Sequence, residues 1–399
     1  MKKIIVILVM CICSISANAM SFSIEGKITG LEIGDTLSFG AIGLPGAPGK
    51  AAEFDIIIEK QDEFYYRGFH DNITYYIMTY KPVNKPIFQD GRTRLFLLVK
   101  DGNTRLLGKS VENIEIQSEI YNEALQEITK LENTLNAERN EYYRKGDAAY
   151  TSGDTVKGKE YIDKFNNFYY SVRDKEFTKL QKMRIQYYSD FPSSEYTVLN
   201  SLQSARAMPF AESLAKYNKM SEAAQNDYLG KLYKNIIDRL AVFEAGNNAP
   251  DFHLKTITGK EISLEDFRGK YVLIYHWELC PGSITIDKDV VELYQKYKAH
   301  LEVIGVTRSI EAISSLYEDA DENMELMGVK LKSVLKNMLE HPWLDAERIN
   351  EENEKIAEDY EIVGMPFFIF ISPEGKMIHR GFQDAFDTAR KELKSKFGE

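Results

Sequence analysis

The chain has 399 residues, 44% of them hydrophobic, and a formal net charge of −11. This length predicts two or three domains, and the hydrophobic fraction is sufficient for packed cores. The part from Asn247 onward holds 29 acidic and 19 basic residues, so most of the acidic excess lies there. Because nucleic-acid binding requires a basic surface, this charge balance argues against nucleic acid as a partner.

Residues 1–19 have the pattern of a secretory signal peptide. A basic start is followed by the apolar run Ile4–Ile15 and by Ala17-Asn-Ala19, a small-residue cleavage site. We expect cleavage after Ala19 and export to the periplasm. The apolar run is too short to span a bilayer and no other stretch could do so, so we do not expect an integral membrane protein. A lipid anchor on Cys11 is less favoured, because Met10 stands where a small residue is required.

Cleavage at this point would leave one cysteine. Cys11 and Cys13 belong to the signal peptide, so the mature chain keeps only Cys280 and can form no internal disulfide. A lone thiol in an oxidising compartment is a liability unless it is buried or used. The cysteine content therefore directs attention to Cys280.

Residues 20–118 predict an all-β domain. Short runs that alternate apolar and polar residues recur between Gly, Asp and Asn, as in a β-sandwich or barrel. The predicted strands are Phe22–Ile28, Leu37–Phe39, Phe54–Ile58, Phe64–Tyr66, Ile73–Met78, Leu95–Val99 and Ile114–Ile116. No catalytic pattern occurs in this part of the sequence.

Residues 119–246 predict a helical region. An apolar stripe runs from Ile120 to Leu135, a loop is expected at Gly146–Gly153, and a second long helix is expected over Thr155–Tyr188. Shorter helices should follow up to Leu240. The tyrosine-rich faces of these helices are interpreted as packing surfaces rather than as a binding site for a partner or peptide.

The strongest chemical signal lies in residues 270–283. Tyr271–Tyr275 is predicted to be a buried strand, and Pro281 suits the first turn of a helix, expected over Ile284–Tyr297. Cys280 would then lie at a helix N-terminus and at the carboxyl end of a strand, where open α/β sheets place reactive groups. The helix dipole and the free backbone N–H groups at this point favour a thiolate.

The rest of the C-terminal sequence predicts alternating strands and helices. A boundary is expected at Gly246–Pro250, and the acidic helical stretch Ser309–Leu339 is expected to form a lid or flank near the site. The other predicted elements are a strand pair within Phe252–Ser263, strands Leu301–Val306, Phe367–Ile371 and Met377–Arg380, and helices Asn350–Tyr360 and Ala385–Phe397.

This part of the sequence resembles the TlpA/ResA-like thiol-disulfide oxidoreductases of the thioredoxin fold. Asn248–Phe252, Phe267–Lys270, the strand before Cys280 and the later Gly364-Met-Pro366 carry the resemblance. It implies a thioredoxin-like α/β domain over residues 247–399. The β-rich start resembles a domain found ahead of thioredoxin-like domains in exported proteins of the Bacteroides group.

The resemblance also implies which residues contact a substrate. In this fold the matching proline, here Pro366, is cis and packs against the nucleophilic cysteine. The residue before it, Met365, presents its backbone to an extended substrate chain. Trp277 and Pro281, which flank Cys280, complete the predicted substrate-binding residues.

The active-site motif departs from the family pattern. The usual Trp-Cys-x-x-Cys is replaced by Leu279-Cys-Pro-Gly-Ser283, so a serine stands at the second cysteine. The family's tryptophan four residues before the nucleophile is His276 here, and Trp277 lies one place later. The fold inference survives these changes, whereas ordinary dithiol chemistry does not follow.

A second departure concerns proton transfer. Relatives often carry a buried carboxylate that helps to move protons. The two positions where we would expect it hold Ile274 and Ile286. The sequence therefore predicts no such carboxylate.

Three interpretations of Cys280 follow. As a single nucleophile, it would be assisted by a hydrogen bond from Ser283, three residues on, and would form mixed disulfides with protein clients, small disulfides or an envelope redox partner. As a remnant in a periplasmic binding or scaffold protein, it would be inert, with Glu278 opposing the thiolate. A peroxidatic cysteine ranks last, because Trp277 and Leu273 stand where Thr or Ser and Pro are required. The first two interpretations stay open.

Other chemistry finds little support in the sequence. The six histidines lack metal-binding spacing, and no Gly-rich phosphate loop or serine-nucleophile motif occurs, so we expect no metal and no cofactor. His276 could pair with Cys280, but packing or a bond to a backbone group is the favoured expectation. Asp319–Glu325 is interpreted as a solvated run of charges.

Overall fold

The computed structural model describes residues 20–48, 53–84, 94–322, 324–326, 329–349 and 351–398. The predicted signal peptide lies outside these residues. Across the described ranges, no helix combines the length and the apolar character that a membrane crossing requires. The described residues divide into two compact units. The first extends to Asn200 and includes Met220–Leu232, and the second comprises Ser201–Lys219 and the residues from Tyr233 onward.

The first unit begins with two β-sheets. Its strands are β1 (Met20–Ile28), β2 (Thr36–Ala41), β3 (Phe54–Ile57), β4 (Glu63–His70), β5 (Thr74–Lys81), β6 (Arg94–Val99), β7 (Gly102–Ser110) and β8 (Asn113–Gln117). They form two four-stranded sheets, ordered β4-β1-β7-β8 and β3-β2-β5-β6. Aromatic rings join the sheets, with Phe22 of β1 and Phe54 of β3 5.8 Å apart between centroids. Neither sheet closes on itself among the described strands, so the barrel alternative gains no support.

Seven helices of the middle region are described in residues 123–240. They are α1 (Glu123–Thr151), α2 (Thr155–Asn166), α3 (Asp174–Asp190), α4 (Glu195–Ala205), α5 (Phe210–Asn218), α6 (Glu222–Asn226) and α7 (Tyr228–Leu240). The loop expected at Gly146–Gly153 is present but shorter, because α1 continues to Thr151 and only Ser152, Gly153 and Asp154 separate it from α2. Gly146 allows a close helix contact, since a Cβ there would lie 2.8 Å from Ile162. The expected long helix over Thr155–Tyr188 is wrong, because a π-helical turn at Phe168–Val172 interrupts it.

The C-terminal unit is an α/β domain. Its elements are β9 (His253–Lys255), β10 (Glu261–Ser263), β11 (Tyr271–His276), α8 (Pro281–Tyr297), β12 (Leu301–Thr307), α9 (Ile310–Asp319), β13 (Glu325–Leu326), β14 (Val329–Lys330), α10 (Leu331–Leu339), β15 (Leu344–Glu347), α11 (Glu351–Asp359), β16 (Phe367–Ile371), β17 (Met377–Gly381) and α12 (Gln383–Phe397). The main sheet has the order β15-β12-β11-β16-β17. Strand β11 is central, parallel to β12 and antiparallel to β16. Its six residues are all buried, as expected for the strand that leads to Cys280.

The acidic stretch after β12 flanks helix α8. The sequence predicts a helical stretch here, and the structure has two helices, α9 and α10, with the short strands β13 and β14 between them. Leu331, Val334 and Leu335 of α10 share a buried cluster with Ile286 and Val290 of α8. The chain then enters β15, a strand that the sequence analysis did not predict.

Residues before the predicted boundary at Asn247 also belong to the C-terminal unit. Glu361 has a side chain that is only 2% exposed, and it forms ion pairs with Arg206 and Arg239. Its backbone carbonyl accepts a hydrogen bond from Arg380 at 2.6 Å. These contacts join residues that lie before Asn247 to residues that lie after it. The domain boundary at Asn247 therefore stays a prediction.

Candidate functional site

Cys280 ends the short loop between β11 and α8. It is the N-cap residue of α8, and the backbone N–H of Ser283 points at its Sγ over 3.5 Å. Pro281 occupies the first helical turn, where its missing N–H removes no helix hydrogen bond. The sulfur is partly exposed and faces the N–H donors of a helix N-terminus, which favour negative charge. The local structure therefore suits a nucleophilic thiol.

Ser283 is buried directly beneath the thiol. Its Oγ lies 3.3 Å from Cys280 Sγ, so the contact expected from the spacing of three residues is present. The same oxygen accepts a hydrogen bond from the backbone N–H of Glu278 at 3.4 Å. A hydroxyl held in this way stands where a second cysteine would otherwise face Cys280.

The loop before β16 forms the other side of the site. The peptide bond between Met365 and Pro366 is cis, as the sequence predicts. The carbonyl oxygen of Met365 lies 3.8 Å from Cys280 Sγ, and its residue is 40% exposed. Gly282 permits this approach, since a Cβ there would lie 2.7 Å from Pro366 Cδ. The structure thus brings Cys280, Ser283, Met365 and Pro366 together, with exposed Pro281 beside them.

Trp277 does not belong to this surface. Its side chain is fully buried and its Nε1 donates a hydrogen bond to Asp345 Oδ1 at 3.2 Å. A ring with no exposed area cannot contact a substrate at the surface, which corrects the substrate-binding role predicted for this side chain. The register of β11 explains the difference, because Trp277 follows Tyr275 on the face that packs against α8.

His276 supports the cis-proline loop rather than the thiol. It is 1% exposed, and its Nδ1 lies 3.0 Å from the carbonyl oxygen of Gly364. Its Nε2 lies 2.7 Å from the guanidinium of Arg348, which can only donate. Burial lowers the pKa of His276 to about 4, so the ring is neutral and its Nδ1–H donates to Gly364. His276 therefore makes the hydrogen bond to a backbone group that the sequence favoured.

Glu278 lies two residues before the thiol and is directed away from it. Its Oε1 accepts a hydrogen bond from the backbone N–H of Arg308 at 2.7 Å. Burial raises the pKa of Glu278, and Arg308 partly offsets this effect. The acidic group that could oppose a thiolate at Cys280 therefore hydrogen-bonds the backbone of Arg308, directly after β12.

A buried polar cluster, which the sequence analysis missed, lies below Ser283. His341 Nε2 lies 2.9 Å from Asp287 Oδ1, and His341 Nδ1 lies 3.4 Å from Asp345 Oδ2. The Tyr275 hydroxyl lies 3.5 Å from Asp287 Oδ1. Burial alone would lower the pKa of His341, but the two carboxylates outweigh it and raise the pKa to about 9. The cluster therefore holds an imidazolium between two carboxylates.

One sequence signal could have indicated this cluster. Asp287 lies four residues after Ser283, so both occupy the same face of α8, and Ile286 and Val290 mark that face as apolar. A carboxylate on a buried face requires a partner. Nothing in the sequence identifies His341 as that partner. Among the described residues, no group of three His, Cys, Asp or Glu side chains is arranged to hold a metal ion.

The C-terminal domain is similar in sequence to known proteins. Residues 245–380 match the AhpC/TSA family. The C-terminal domain is a thioredoxin-like domain. It is similar to the thiol-disulfide oxidoreductase ResA of Bacillus cereus, with 27% identity over 148 residues, which cover 37% of this chain and 75% of ResA. The thioredoxin-like protein YneN of Bacillus subtilis is 34% identical over 76 residues, covering 19% of this chain and 45% of YneN. The resemblance to ResA-like proteins is confirmed for this domain.

Solved structures of similar proteins each cover little more than a third of this chain. The thioredoxin domain of a thiol-disulfide oxidoreductase from Bacteroides vulgatus is 23% identical and covers 37% of this chain and 97% of that structure, with a TM-score of 0.28. A thiol-disulfide oxidoreductase from Bacteroides fragilis is 24% identical and covers 37% and 99%, with a TM-score of 0.28.

Proposed function

We propose that this chain is an exported protein of the cell envelope that carries out thiol-disulfide exchange through the single thiol of Cys280. The observation that carries the proposal is the position of that thiol. It is partly exposed at a helix N-terminus, within 3.3 Å of Ser283 Oγ and 3.8 Å of the Met365 carbonyl oxygen. The similarity to ResA-like oxidoreductases supports the same chemistry, and the N-terminal sequence supports export.

The reaction that this site supports is the formation of a mixed disulfide. Cys280 Sγ attacks one sulfur of a client disulfide, a new S–S bond forms, and the old S–S bond breaks as the second sulfur leaves and takes a proton. A hydroxyl at Ser283 cannot displace the client. The adduct therefore lasts until an external thiol attacks it. Suitable partners are exported proteins and small disulfides, and Met365, which is 40% exposed, lies where an extended client chain would pass.

Adduct formation by the purified mature chain tests the proposal. Incubation with hydroxyethyl disulfide should add one mass adduct per chain, faster than the same reaction of free cysteine, and Cys280→Ala should abolish it. Catalytic reductase turnover should be absent. After expression in an exporting bacterial host, the intact mass should match a chain that begins at Met20. A retained N-terminus or a lipid on Cys11 would contradict cleavage after Ala19.

A serine-to-cysteine change gives a sharper test. Ser283→Cys should close an intramolecular disulfide with Cys280 and gain reductase turnover, because the two side chains already lie in contact. Thr285→Cys is the matched control, since that exposed side chain hydrogen-bonds the Pro281 carbonyl at 2.8 Å instead. If Cys280 reacts no faster than free cysteine and Ser283→Cys neither closes nor turns over, the proposal fails.

The alternative is a binding or scaffold protein that keeps the fold without its chemistry. The serine in place of a second cysteine favours it. It predicts an unreactive Cys280 in the wild type and no gain of turnover in Ser283→Cys. The two experiments above therefore separate the proposals.

A further inference from the structure

A groove of about 770 Å³ opens between strands β3 and β4 of the first unit. These two strands follow one another in the chain but belong to different sheets, and each is the last strand of its sheet. Ile57 and Tyr65 both line the groove, and each residue is 63% exposed. The groove is therefore bordered by two strand edges and by apolar side chains that water can reach.

The edge of β3 that faces away from β2 carries backbone groups without a partner strand. The N–H of Ile58 donates to the Asp35 carbonyl at 2.8 Å, and the Ile58 carbonyl accepts from the Gly34 N–H at 2.9 Å. Successive residues of an antiparallel strand direct these groups to opposite edges, so those of Asp55 and Ile57 point away from β2. Among the described strands, β2 alone pairs with β3. The free edge can therefore accept one more strand.

The charges that line this groove are unevenly paired. Its three described cations are engaged with two carboxylates on β1 and β4: Lys27 and Lys60 with Glu63, and Arg105 with Glu25. Asp55 of β3 and Glu59, two residues after the end of β3, also line the groove. Asp55 accepts a hydrogen bond from the Ser38 hydroxyl at 2.6 Å, but neither carboxylate forms an ion pair with a described cation. The β3 edge is therefore the acidic side of the groove.

The order of side chains along this edge indicates what an added strand should carry. Asp55, Ile57 and Glu59 alternate with buried residues, so all three project from the same exposed side. Basic residues directly opposite the two carboxylates, with an apolar residue between them, would complement this order. A second copy of β3 that placed Ile57 against Ile57 would instead set Asp55 opposite Glu59, and like charges in that position destabilise a strand pair.

We propose that this groove binds a basic, extended peptide segment of another protein, which adds to the free edge of β3 as a further strand. Backbone hydrogen bonds to Asp55 and Ile57 supply affinity, and the carboxylates of Asp55 and Glu59 select Lys or Arg at alternate positions. Tyr65 of β4 forms part of the opposite wall. The site lies in the β-rich part of the first unit and goes beyond the proposed thiol chemistry, since it does not depend on Cys280.

A synthetic peptide with this pattern tests the proposal on the purified mature chain. The probe is acetyl-Thr-Lys-Thr-Val-Thr-Lys-Thr with a fluorophore at its C-terminus, so that both lysines and the valine lie on one side of the strand. Fluorescence anisotropy should show saturable binding that weakens as salt is added. Hydrogen exchange of the β3 amides should slow when the peptide is bound. A probe with glutamate in place of both lysines should bind about tenfold more weakly.

Two backbone changes separate strand pairing from simple charge attraction. Methylation of the backbone nitrogens of the two lysines and the valine removes the donors that face β3 in an antiparallel pair, so it should abolish binding although the charge is kept. In the protein, Ile57→Pro removes the outward N–H and leaves the hydrogen bonds between β3 and β2 intact, because proline is tolerated on the free side of an edge strand. Ile57→Pro should bind about fivefold more weakly than Ile57→Ala, which keeps the N–H.

Charge variants of the protein complete the test. The double variant Asp55→Asn with Glu59→Gln should bind the lysine probe about fivefold more weakly, whereas Glu115→Gln, on the exposed side of β8, should bind it as the wild type does. A cooperative melt establishes that each variant is folded, and the methylated probe decides the question if Ile57→Pro does not fold.

Three results would overturn the docking site. The lysine probe could fail to bind, or it could bind equally well after methylation. The third result is a chain that sediments as a dimer with its β3 amides already protected, since a second copy would then occupy the edge. Saturable binding that the methylated probe and the double variant both weaken supports the proposal. The probe contains no sulfur, so either outcome leaves the test of Cys280 unaffected.

Discussion

At the residue scale, Cys280 and His276 have surroundings that favour different charge states. The sulfur faces N–H donors at a helix N-terminus, which suit an anion. The imidazole, four residues earlier, is buried between a carbonyl oxygen and a guanidinium, which suit a neutral ring. Since Gly364 directly precedes Met365, the protonation state of His276 bears on the loop that faces the thiol.

We predict that acid weakens the fold through His276. Its pKa in the folded state is about 4, below the ordinary value of 6.5, so the unfolded chain binds the proton more readily. The stabilisation is present above the unfolded pKa and is lost as pH falls through the folded one. The difference corresponds to about 3 kcal/mol. Urea unfolding between about pH 7 and about pH 4 should show a loss larger by that amount in the wild type than in His276→Gln.

A second histidine provides the control for this prediction. His253 has a side chain that is 74% exposed, so His253→Gln should lose the same free energy of unfolding between these two pH values as the wild type. An equal loss of unfolding free energy in the wild type and in His276→Gln would show that His276 is not held neutral in the folded state.

Contacts between residues close in the sequence could be predicted at this site, whereas contacts between distant residues could not. Cys280, Pro281 and Ser283 are neighbours on one helix turn, so their spacing fixes their contacts. The cis bond at Pro366 follows from the resemblance. His341 and Asp287 are 54 positions apart in the sequence. Each alone looks like an ordinary polar residue, and only the packing of α10 against α8 brings them together.

At the element scale, the start of α8 and the cis-proline loop approach too closely for any side chain between them. A Cβ at Gly282 would lie 2.7 Å from Pro366 Cδ and 3.8 Å from the Met365 carbonyl oxygen. Real Cβ atoms do not come so close to a ring carbon, so one of the two elements would have to move.

We predict that Gly282→Ala lowers both stability and thiol reactivity. Forcing a methyl group into a packed site costs about 1–3 kcal/mol. The shift would also move Met365 relative to Cys280, so the rate of mixed-disulfide formation should fall. Thermal unfolding and adduct kinetics measure the two effects. Gly43→Ala is the control, since no atom lies within 4 Å of its added Cβ. A wild-type melting temperature and adduct rate in Gly282→Ala would contradict the close approach.

Elements with a continuous apolar run were predictable, and those with mixed exposure were not. Strand β16 is buried at all five positions and has the bounds that the sequence predicts. Strand β7 was missed because only Thr104 and Leu106 of its nine residues are buried. The break after Asn166 was missed because Phe168 continues the aromatic pattern of the helix while the backbone forms a π turn.

At the scale of the whole molecule, residues from the helical region complete the C-terminal unit. Arg206 and Arg239 both pair with the nearly buried carboxylate of Glu361. Removing the partners of a buried charge costs about 3–5 kcal/mol, because the charge remains without compensation. A fragment that begins at Asn247 keeps Glu361 and Arg380 but loses both of these arginines.

We therefore predict that Asn247–Glu399 folds with its own sheet and melts cooperatively, but at a lower temperature than Ser201–Glu399. The remaining Arg380 hydrogen-bonds the backbone carbonyl of Glu361 and so does not replace the lost partners of its carboxylate. Glu361→Gln should raise the melting temperature of the short fragment, because it removes the uncompensated charge, and should lower that of the long fragment. Equal melting temperatures for the two fragments would show that the ion pairs contribute nothing. A short fragment without a cooperative melt would place the helical residues within the core of the thioredoxin-like domain.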